Sequence, residues 1–166
     1  MFIFSIFDNN LNMKKFIALV LVGVALLLIK SPFSLSNVSN CYSGTYTFYT
    51  QEKFSDYDTQ CMQSGNGFLV STSNKNANDV FLKLNLNMLQ GESFCFDGNM
   101  LDAQVLIKKL NGKVLKTEKV GDMLIFYGQS GKLEKYVVVD NEKINFQVAV
   151  NDGKVTIGTP LILGGY

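Results

Sequence analysis

Residues 143–157, with the sequence KINFQVAVNDGKVTI, decide the fold class. Bulky apolar side chains occupy every second position of the first part, where Ile144, Phe146, Val148 and Val150 alternate with Asn145, Gln147 and Ala149. A period of two predicts a strand over residues 143–150, and we expect the first set to face the core. Asp152 and Gly153 are a strong hairpin signal and lead into a strand over residues 155–157. This stretch therefore predicts an antiparallel sheet.

A helix and further strands precede this hairpin. Over residues 100–111 the apolar positions recur at i, i+3, i+4 and i+7, at Ala103, Leu106, Ile107 and Leu110. Gly112 follows as a stop signal. Residues 114–120 and 123–127 predict two strands joined by a turn, and residues 136–139 predict another. The C-terminal half is thus predicted to be a helix followed by an antiparallel meander.

The N-terminal half contains three predicted strands, over residues 45–50, 67–72 and 92–96. Residues 76–89 fit two patterns. At helical spacing lie Ala77, Val80, Phe81, Leu84 and Met88, and Asn76 with Asp79 resembles an N-terminal cap. Residues 82–88 also alternate as a half-buried strand would, although we favour the helix. The whole chain predicts an α+β domain, in which one or two helices cover one face of a curved antiparallel sheet.

An export signal is predicted at the N-terminus. Residues 16–29 (FIALVLVGVALLLI) form an apolar run of 14 residues preceded by two lysines, which predicts a signal peptide over residues 13–36. The run is short for a spanning helix, which needs about 20 apolar residues, so an uncleaved membrane anchor is the alternative. Ser34 and Ser36 offer a processing site, and Asn37 would then begin the mature chain.

The remaining boundaries follow from this signal. Residues 1–12 are interpreted as a start-site artefact or as disordered, because Met13 directly before the lysines makes a better translation start. Residues 37–43 are predicted to be a linker and residues 44–166 a single domain. Lipidation of Cys41 is a further alternative. The protein is therefore expected outside the cytoplasm, either secreted or associated with the cell envelope.

Composition excludes several chemistries. The chain contains no histidine and no arginine, so it lacks the usual general base near neutral pH and the commonest metal ligand. Removal of residues 1–36 leaves 12 lysines against 13 acids, a net charge of −1. Nucleic-acid binding requires an excess of clustered cations. We therefore expect no nucleic-acid partner, no metal and no cofactor.

Cysteines and carboxylates supply the remaining candidate sites. An exported chain can form a disulfide, and Cys41 with Cys61 is the preferred pair because both flank the first predicted strands. We expect a buried or half-buried thiol at Cys95. Asp56 and Asp58 could suggest a calcium loop, although a solvated loop fits them better. Glu92, Asp97 and Asp102 could form a hydrolytic carboxylate pair, although surface and helix-terminus roles explain them better.

Three short patterns lie in the C-terminal half, FYGQS at 126–130, KINFQVAV at 143–150 and IGTPLILGGY at 157–166. Together they resemble the YwmB family of exported Gram-positive bacterial proteins. The residues that carry the resemblance are Lys143, Asn145, Gly158, Thr159, Pro160 and Tyr166, and it covers roughly residues 90–166. It implies a fold like that of the TATA-box-binding protein and an envelope location. It implies no reaction, and a fold shared with a DNA-binding protein does not transfer function.

The expected function is therefore binding. We expect a non-enzymatic envelope domain that holds a protein or a polymer through its sheet face or an exposed edge. A carboxylate-based hydrolase of wall polymers is the alternative, and it requires two acids facing each other across a pocket.

Overall fold

The computed structural model describes Leu35 and residues 41–163. The chain divides into two compact units, residues 1–32 and 33–166, and every described residue belongs to the second. The predicted signal peptide, apart from Leu35, and Tyr166 lie outside the described residues. No helix among the described residues is long and apolar enough to cross a membrane.

The described residues form ten strands and two helices. The strands are β1 Gly44–Thr50, β2 Gln60–Ser64, β3 Gly67–Ser73, β4 Leu89–Asp97, β5 Lys113–Val120, β6 Met123–Gln129, β7 Val137–Val139, β8 Glu142–Ile144, β9 Phe146–Asn151 and β10 Lys154–Thr159. The helices are α1 Ala77–Lys83 and α2 Met100–Lys109. The fold class is α+β, as the sequence predicted.

Eight strands form one antiparallel sheet in the order β2-β3-β1-β4-β10-β9-β6-β5, and β7 pairs with β8 separately. The predicted meander is confirmed, because β5, β6, β9 and β10 are neighbours in that order and β10 then joins β4. The predicted turn between β9 and β10 is confirmed too. Asp152 and Gly153 adopt φ angles of 45° and 71°, the left-handed pair that a tight two-residue hairpin requires.

One face of the sheet, called here the core face, carries the aromatic core. Fully buried side chains on it include Tyr46, Phe48, Phe94, Phe146, Val148, Val155 and Ile157. Both helices cover this face, α1 through Val80 and Phe81 and α2 through Ala103 and Leu106. The prediction that Phe146, Val148 and Val150 face the core is confirmed, whereas Ile144 is buried on β8 outside this cluster.

A capping box starts α2. The Leu101 N–H donates to Asn99 Oδ1 at 2.8 Å, and the Asn99 N–H donates to Asp102 Oδ2 at 2.9 Å. This exchange satisfies two backbone donors that the first turn of a helix leaves without partners. At the other end, Asn111 takes the left-handed backbone conformation, with φ at 51°. Asp102 therefore has the helix-terminus role that the sequence favoured.

The segment 76–89 is helical over its first half alone. The helix ends at Lys83, and Leu84 is extended. The alternative of a strand over residues 82–88 is wrong. Residues 82–83 are the last two residues of α1, and residues 84–88 lie outside any strand, before β4 begins. Asn76 is the N-cap residue as predicted, but its side chain makes no capping hydrogen bond.

The single strand predicted over residues 143–150 is interrupted at Asn145. The part before it, β8, pairs with β7, and the part after it, β9, lies inside the main sheet. Asn145 leaves the strand pattern because its side chain bonds the backbone of Ser130 and Leu133. The alternate positions are buried as well, since Asn145, Gln147 and Ala149 have almost no exposed surface. Strand β9 is central and is covered on both faces.

The face opposite the helices, called here the second face, is partly covered by the chain end. The Ile162 N–H donates to Gln147 Oε1 at 2.9 Å. Gly158 lies directly beneath, and a Cβ there would come within 2.5 Å of the Ile162 nitrogen. The absent side chain lets the tail approach the sheet this closely. The chain end is therefore docked as far as it is described.

Candidate functional site

Among the described residues, strands β2 and β5 are the two edges of the main sheet. An edge strand presents backbone N–H and C=O groups that no neighbouring strand satisfies, so it can pair with another chain. Natural sheets prevent such pairing with lysines, bulges and short strands. The two edges of this sheet differ in these devices.

Edge strand β5 carries two of the protective devices. Its pairing with β6 shifts register between Val114 and Lys116, which marks a bulge. Three exposed lysines, at positions 113, 116 and 119, lie along its eight residues. A bulge twists the edge away from a flat partner, and lysines must lose solvation when a partner strand approaches.

Ion pairs hold Lys116 in place on this edge. Its Nζ lies 2.8 Å from Glu118 Oε1 and 2.9 Å from Asp140 Oδ2. The hydrogen bonds to Glu118 and Asp140 raise the pKa of Lys116 above its usual value. The hydrogen bond between Lys116 and Glu118 lowers the pKa of Glu118. A second hydrogen bond to Glu118, donated by the Tyr127 hydroxyl at 3.0 Å, lowers it as well. All three charges are exposed, so they contribute little stability but keep edge β5 charged.

Edge strand β2 is short, at five residues, but has neither lysines nor a bulge. Its sequence, QCMQS, contains no charged residue and no proline, and its pairing with β3 keeps a regular register along its whole length. Met62, at its centre, is 61% exposed. This edge is therefore uncharged, regular and apolar at its middle.

Hairpin geometry fixes which backbone groups of β2 point outward. A two-residue turn begins at Gly65, with φ at 56°, and closes the hairpin between Ser64 and Gly67. The closing pair of such a hairpin is hydrogen-bonded, and the pattern alternates along an antiparallel pair. Ser64, Met62 and Gln60 therefore direct their backbone groups toward β3. Cys61 and Gln63 direct theirs away from the sheet.

The second face carries small polar side chains on its central strands. The hydroxyl oxygens of Thr47 and Ser71 lie 2.9 Å apart across β1 and β3. Thr45, Cys95 and Thr156 follow one another across β1, β4 and β10. A cavity of about 210 Å³ lies at one end of this face. It is lined by Cys95, Ala149, Asn151, Asp152, Lys154 and Thr156.

The three cysteines are free thiols in this structure. Cys41 is exposed, with its Sγ 3.0 Å from Lys109 Nζ. Cys61 lies on β2 opposite Val70 and packs partly against the core. Cys95 is half-buried on the second face. The structure does not join Cys41 to Cys61, and the disulfide stays a prediction.

The three carboxylates considered for hydrolysis have separate positions. Glu92 is 4% exposed on the core face, where Tyr46 Oη donates to its Oε2 at 3.0 Å. Burial, and then the neighbouring Glu92 carboxylate, raise the pKa of Tyr46. Asp102 caps α2 and accepts a hydrogen bond from Tyr42 Oη at 3.2 Å. Asp97 ends β4 opposite Lys154. The acid that lines the cavity, Asp152, is none of these three.

Asp56 and Asp58 belong to a loop that is tied to α1 and β3. The Asp56 carboxylate pairs with Lys83 Nζ at 2.5 Å, and the hydrogen bond to Lys83 lowers the pKa of Asp56. The Asp58 carbonyl accepts a hydrogen bond from Thr72 Oγ1 at 2.9 Å. In the described part of the chain, no three His, Cys, Asp or Glu side chains converge where they could hold a metal ion.

The residues that carry the family resemblance have structural positions where they are described. Asn145 binds the loop after β6, and Gly158 admits the chain end. Thr159 is buried at the end of β10. The Lys143 ammonium lies 4.5 Å from the centre of the Tyr136 ring. None of these four residues contributes to a reactive site.

No protein-family model, no characterised protein and no solved structure matches the chain. The resemblance to the YwmB family therefore stays a prediction. Sequence reasoning missed strand β2, because QCMQS has neither alternation nor a run of β-branched residues. A usable signal was Gly65-Asn66 directly before the predicted β3, since a two-residue turn implies a strand on its other side.

Proposed function

We propose that this protein is an exported, non-enzymatic binding domain that takes up an extended polypeptide segment by strand addition at β2. The observation that carries the proposal is the contrast between the two edges. Edge β5 has a bulge and three lysines, whereas edge β2 is regular, uncharged and apolar at its centre. Strand addition is an established mode of peptide recognition at sheet edges.

Backbone pairing alone would be weak at an edge this short. Cys61 and Gln63 offer two donors and two acceptors between them. Each net hydrogen bond contributes about 0.5–1.5 kcal/mol, so four bonds give a free energy near that of millimolar binding, about −4 kcal/mol. Specific binding therefore needs side-chain contacts as well.

Neighbouring side chains indicate what the incoming strand would carry. Met62 is opposite Leu69 on the second face, and Tyr49 is the next partner across β3 and β1. A strand added beside β2 would place alternate side chains next to Met62. We therefore propose a segment that contains an apolar residue at that register, with no requirement for charge.

The alternative of a carboxylate hydrolase has less support. Glu92 and Asp102 are engaged by hydrogen bonds within the fold, and the cavity has Asp152 as its acidic lining residue. Hydrolysis of a glycosidic bond requires a second carboxyl group at a distance of about 5–10 Å across the substrate.

Site-specific crosslinking in the producing cell tests the binding proposal. A photoreactive residue is placed at Gln63 on β2 or, as the matched control, at Thr117 on β5. Both positions direct backbone groups outward from an edge. We expect crosslinked products from position 63, and fewer from position 117.

A proline substitution on each edge strand provides a second test of the binding proposal. Cys61→Pro removes an outward N–H without removing a hydrogen bond to β3, so it should abolish the crosslinks made from position 63. Thr117→Pro is its control and should leave them unchanged. Equal products from both edges, or crosslinks that survive Cys61→Pro, would show that β2 is not the binding edge.

A further inference from the structure

Leu35 is a core residue of the folded domain. Its side chain has no exposed surface, and it belongs to the same cluster as Tyr46, Phe94 and Leu106. It is separated in sequence from the first strand by eight residues, so its burial is a tertiary contact rather than a continuation of β1. The core face of the sheet therefore includes a residue from the segment that the sequence assigned to the signal peptide.

The backbone of Leu35 is engaged as well. Its N–H donates to Glu92 Oε1 at 3.2 Å. The other oxygen of the same carboxylate accepts the hydrogen bond from Tyr46. A buried carboxylate is stable only when hydrogen bonds replace the water that it has lost. The Leu35 side chain thus fills core volume, and its backbone N–H provides a hydrogen bond to the buried Glu92 carboxylate.

The small side chains at positions 34 and 36 predicted cleavage after Ser36. Such a cut would remove the Leu35 side chain from the core and the Leu35 N–H from Glu92. The core would lose a buried leucine, and Glu92 would lose a donor. Large-to-small changes at buried leucines are among the most destabilising substitutions known. A chain that begins at Asn37 would therefore fold with a cavity beside a buried carboxylate.

We infer that the mature exported chain retains Leu35, and that any processing cut lies on the N-terminal side of this residue. Only residues 30–34 separate Leu35 from the apolar run at 16–29. The folded domain thus begins almost directly after the export signal.

The intact mass of the exported protein tests this inference. The full chain is expressed in an exporting bacterial host, and the mature N-terminus is determined on the folded product. We expect the first residue to be Leu35 or one before it. A folded product that begins at Ser36, Asn37 or any later residue would overturn the inference.

Substitutions in the full chain provide an independent measurement. Leu35→Ala should lower the melting temperature of the exported protein by about 10 °C or more, as expected for an emptied core site, and Leu35→Met should restore most of the loss. Leu101→Ala is the matched control, because Leu101 is 69% exposed on α2, and it should melt like the parent. If Leu35→Ala also melts like the parent, Leu35 is not part of the core.

Discussion

Asn145 and Ser130 exchange two hydrogen bonds of 2.7 Å. The Ser130 N–H donates to Asn145 Oδ1, and Asn145 Nδ2 donates to the Ser130 carbonyl. A third bond joins Asn145 Nδ2 to the Leu133 carbonyl at 3.0 Å. One buried amide therefore satisfies three backbone groups of the loop between β6 and β7. Backbone groups in a buried loop otherwise carry a large desolvation cost.

Asn145→Asp should destabilise the protein by about 2–4 kcal/mol. The substitution keeps the size of the side chain but replaces the donor amide with a carboxylate that faces two carbonyl oxygens. The midpoint of urea unfolding measures the effect. Asn87→Asp, at an exposed position, is the matched control and should stay within about 0.5 kcal/mol of the parent. Equal midpoints for both variants would show that the Asn145 amide does not support the loop.

Gly128→Ala should destabilise the protein because the ring of Phe146 lies over this glycine. A Cβ at position 128 would come within 2.1 Å of Phe146 Cζ and 2.6 Å of the Lys113 carbonyl oxygen. Forcing a methyl group into a packed core typically costs about 1–3 kcal/mol. Gly131→Ala is the control, because nothing lies within 4 Å of its Cβ position. Thermal melts that show the same stability for both variants would place Phe146 elsewhere.

Gly158→Ala should release the chain end from the second face. The added methyl group would contact the Ile162 nitrogen and the Leu161 carbonyl oxygen, both 2.5 Å from its position. We expect faster cleavage of the last residues by a carboxypeptidase, together with a lower melting temperature. Gly131→Ala again provides the control. Unchanged digestion would mean that the tail does not depend on this close approach.

The pair of Asp56 and Lys83 should give a small pH-dependent stabilisation. The pKa of Asp56 is lowered in the folded state, so its contribution is present above the ordinary value of about 3.9 and is lost as the pH falls below it. The pKa of Lys83 is raised, so its contribution is present below about 10.4 and is lost at higher pH.

Asp56→Asn should therefore melt below the parent at pH 7, and the difference should narrow progressively as the pH falls below about 3.9. The difference should also shrink in high salt, because Lys83 is exposed and Asp56 is only half-buried. Asp122→Asn, at an exposed hairpin turn, controls for the loss of one negative charge. A difference that persists unchanged at pH 3 would assign the effect to something other than the ion pair.

Local patterns predicted most of the regular structure, and long-range contacts decided the rest. The helix α2, the strands β5, β6 and β10 and the turn at Asp152 follow from periodicity and turn chemistry. Strand β2 forms because it pairs with β3, and the residues of β2 alone do not predict a strand. The sequence did not predict the burial of Asn145 and Gln147, because a strand pattern cannot show that a loop and a chain end cover the other face.

The candidate site depended even more on global topology. Any strand can be an edge, and which two become edges is fixed by the strand order of the complete sheet. Leu35 was missed for a related reason. Its neighbours are predicted to form an export signal, and nothing in that pattern shows that Leu35 is buried in the core of the domain.

Amide hydrogen exchange should reveal the free edge of β2 directly. In the free protein the amides of Cys61 and Gln63 point outward and should exchange at nearly unprotected rates. The amides of Met62 and Ser64 point toward β3 and should be protected, because they are bonded in the ladder. The prediction is thus an alternation of fast and slow amides along one short strand.

The same measurement links the free edge to the proposed function. A segment that adds to β2 would protect the amides of Cys61 and Gln63 and leave those of Thr117 and Lys119 on β5 unchanged. Gln63→Pro removes one of the two outward donors, so it should weaken the protection of Cys61 without altering that of Met62. If Cys61 and Gln63 are already slow in the free monomer, another part of the chain covers this edge, and β2 cannot receive a partner strand.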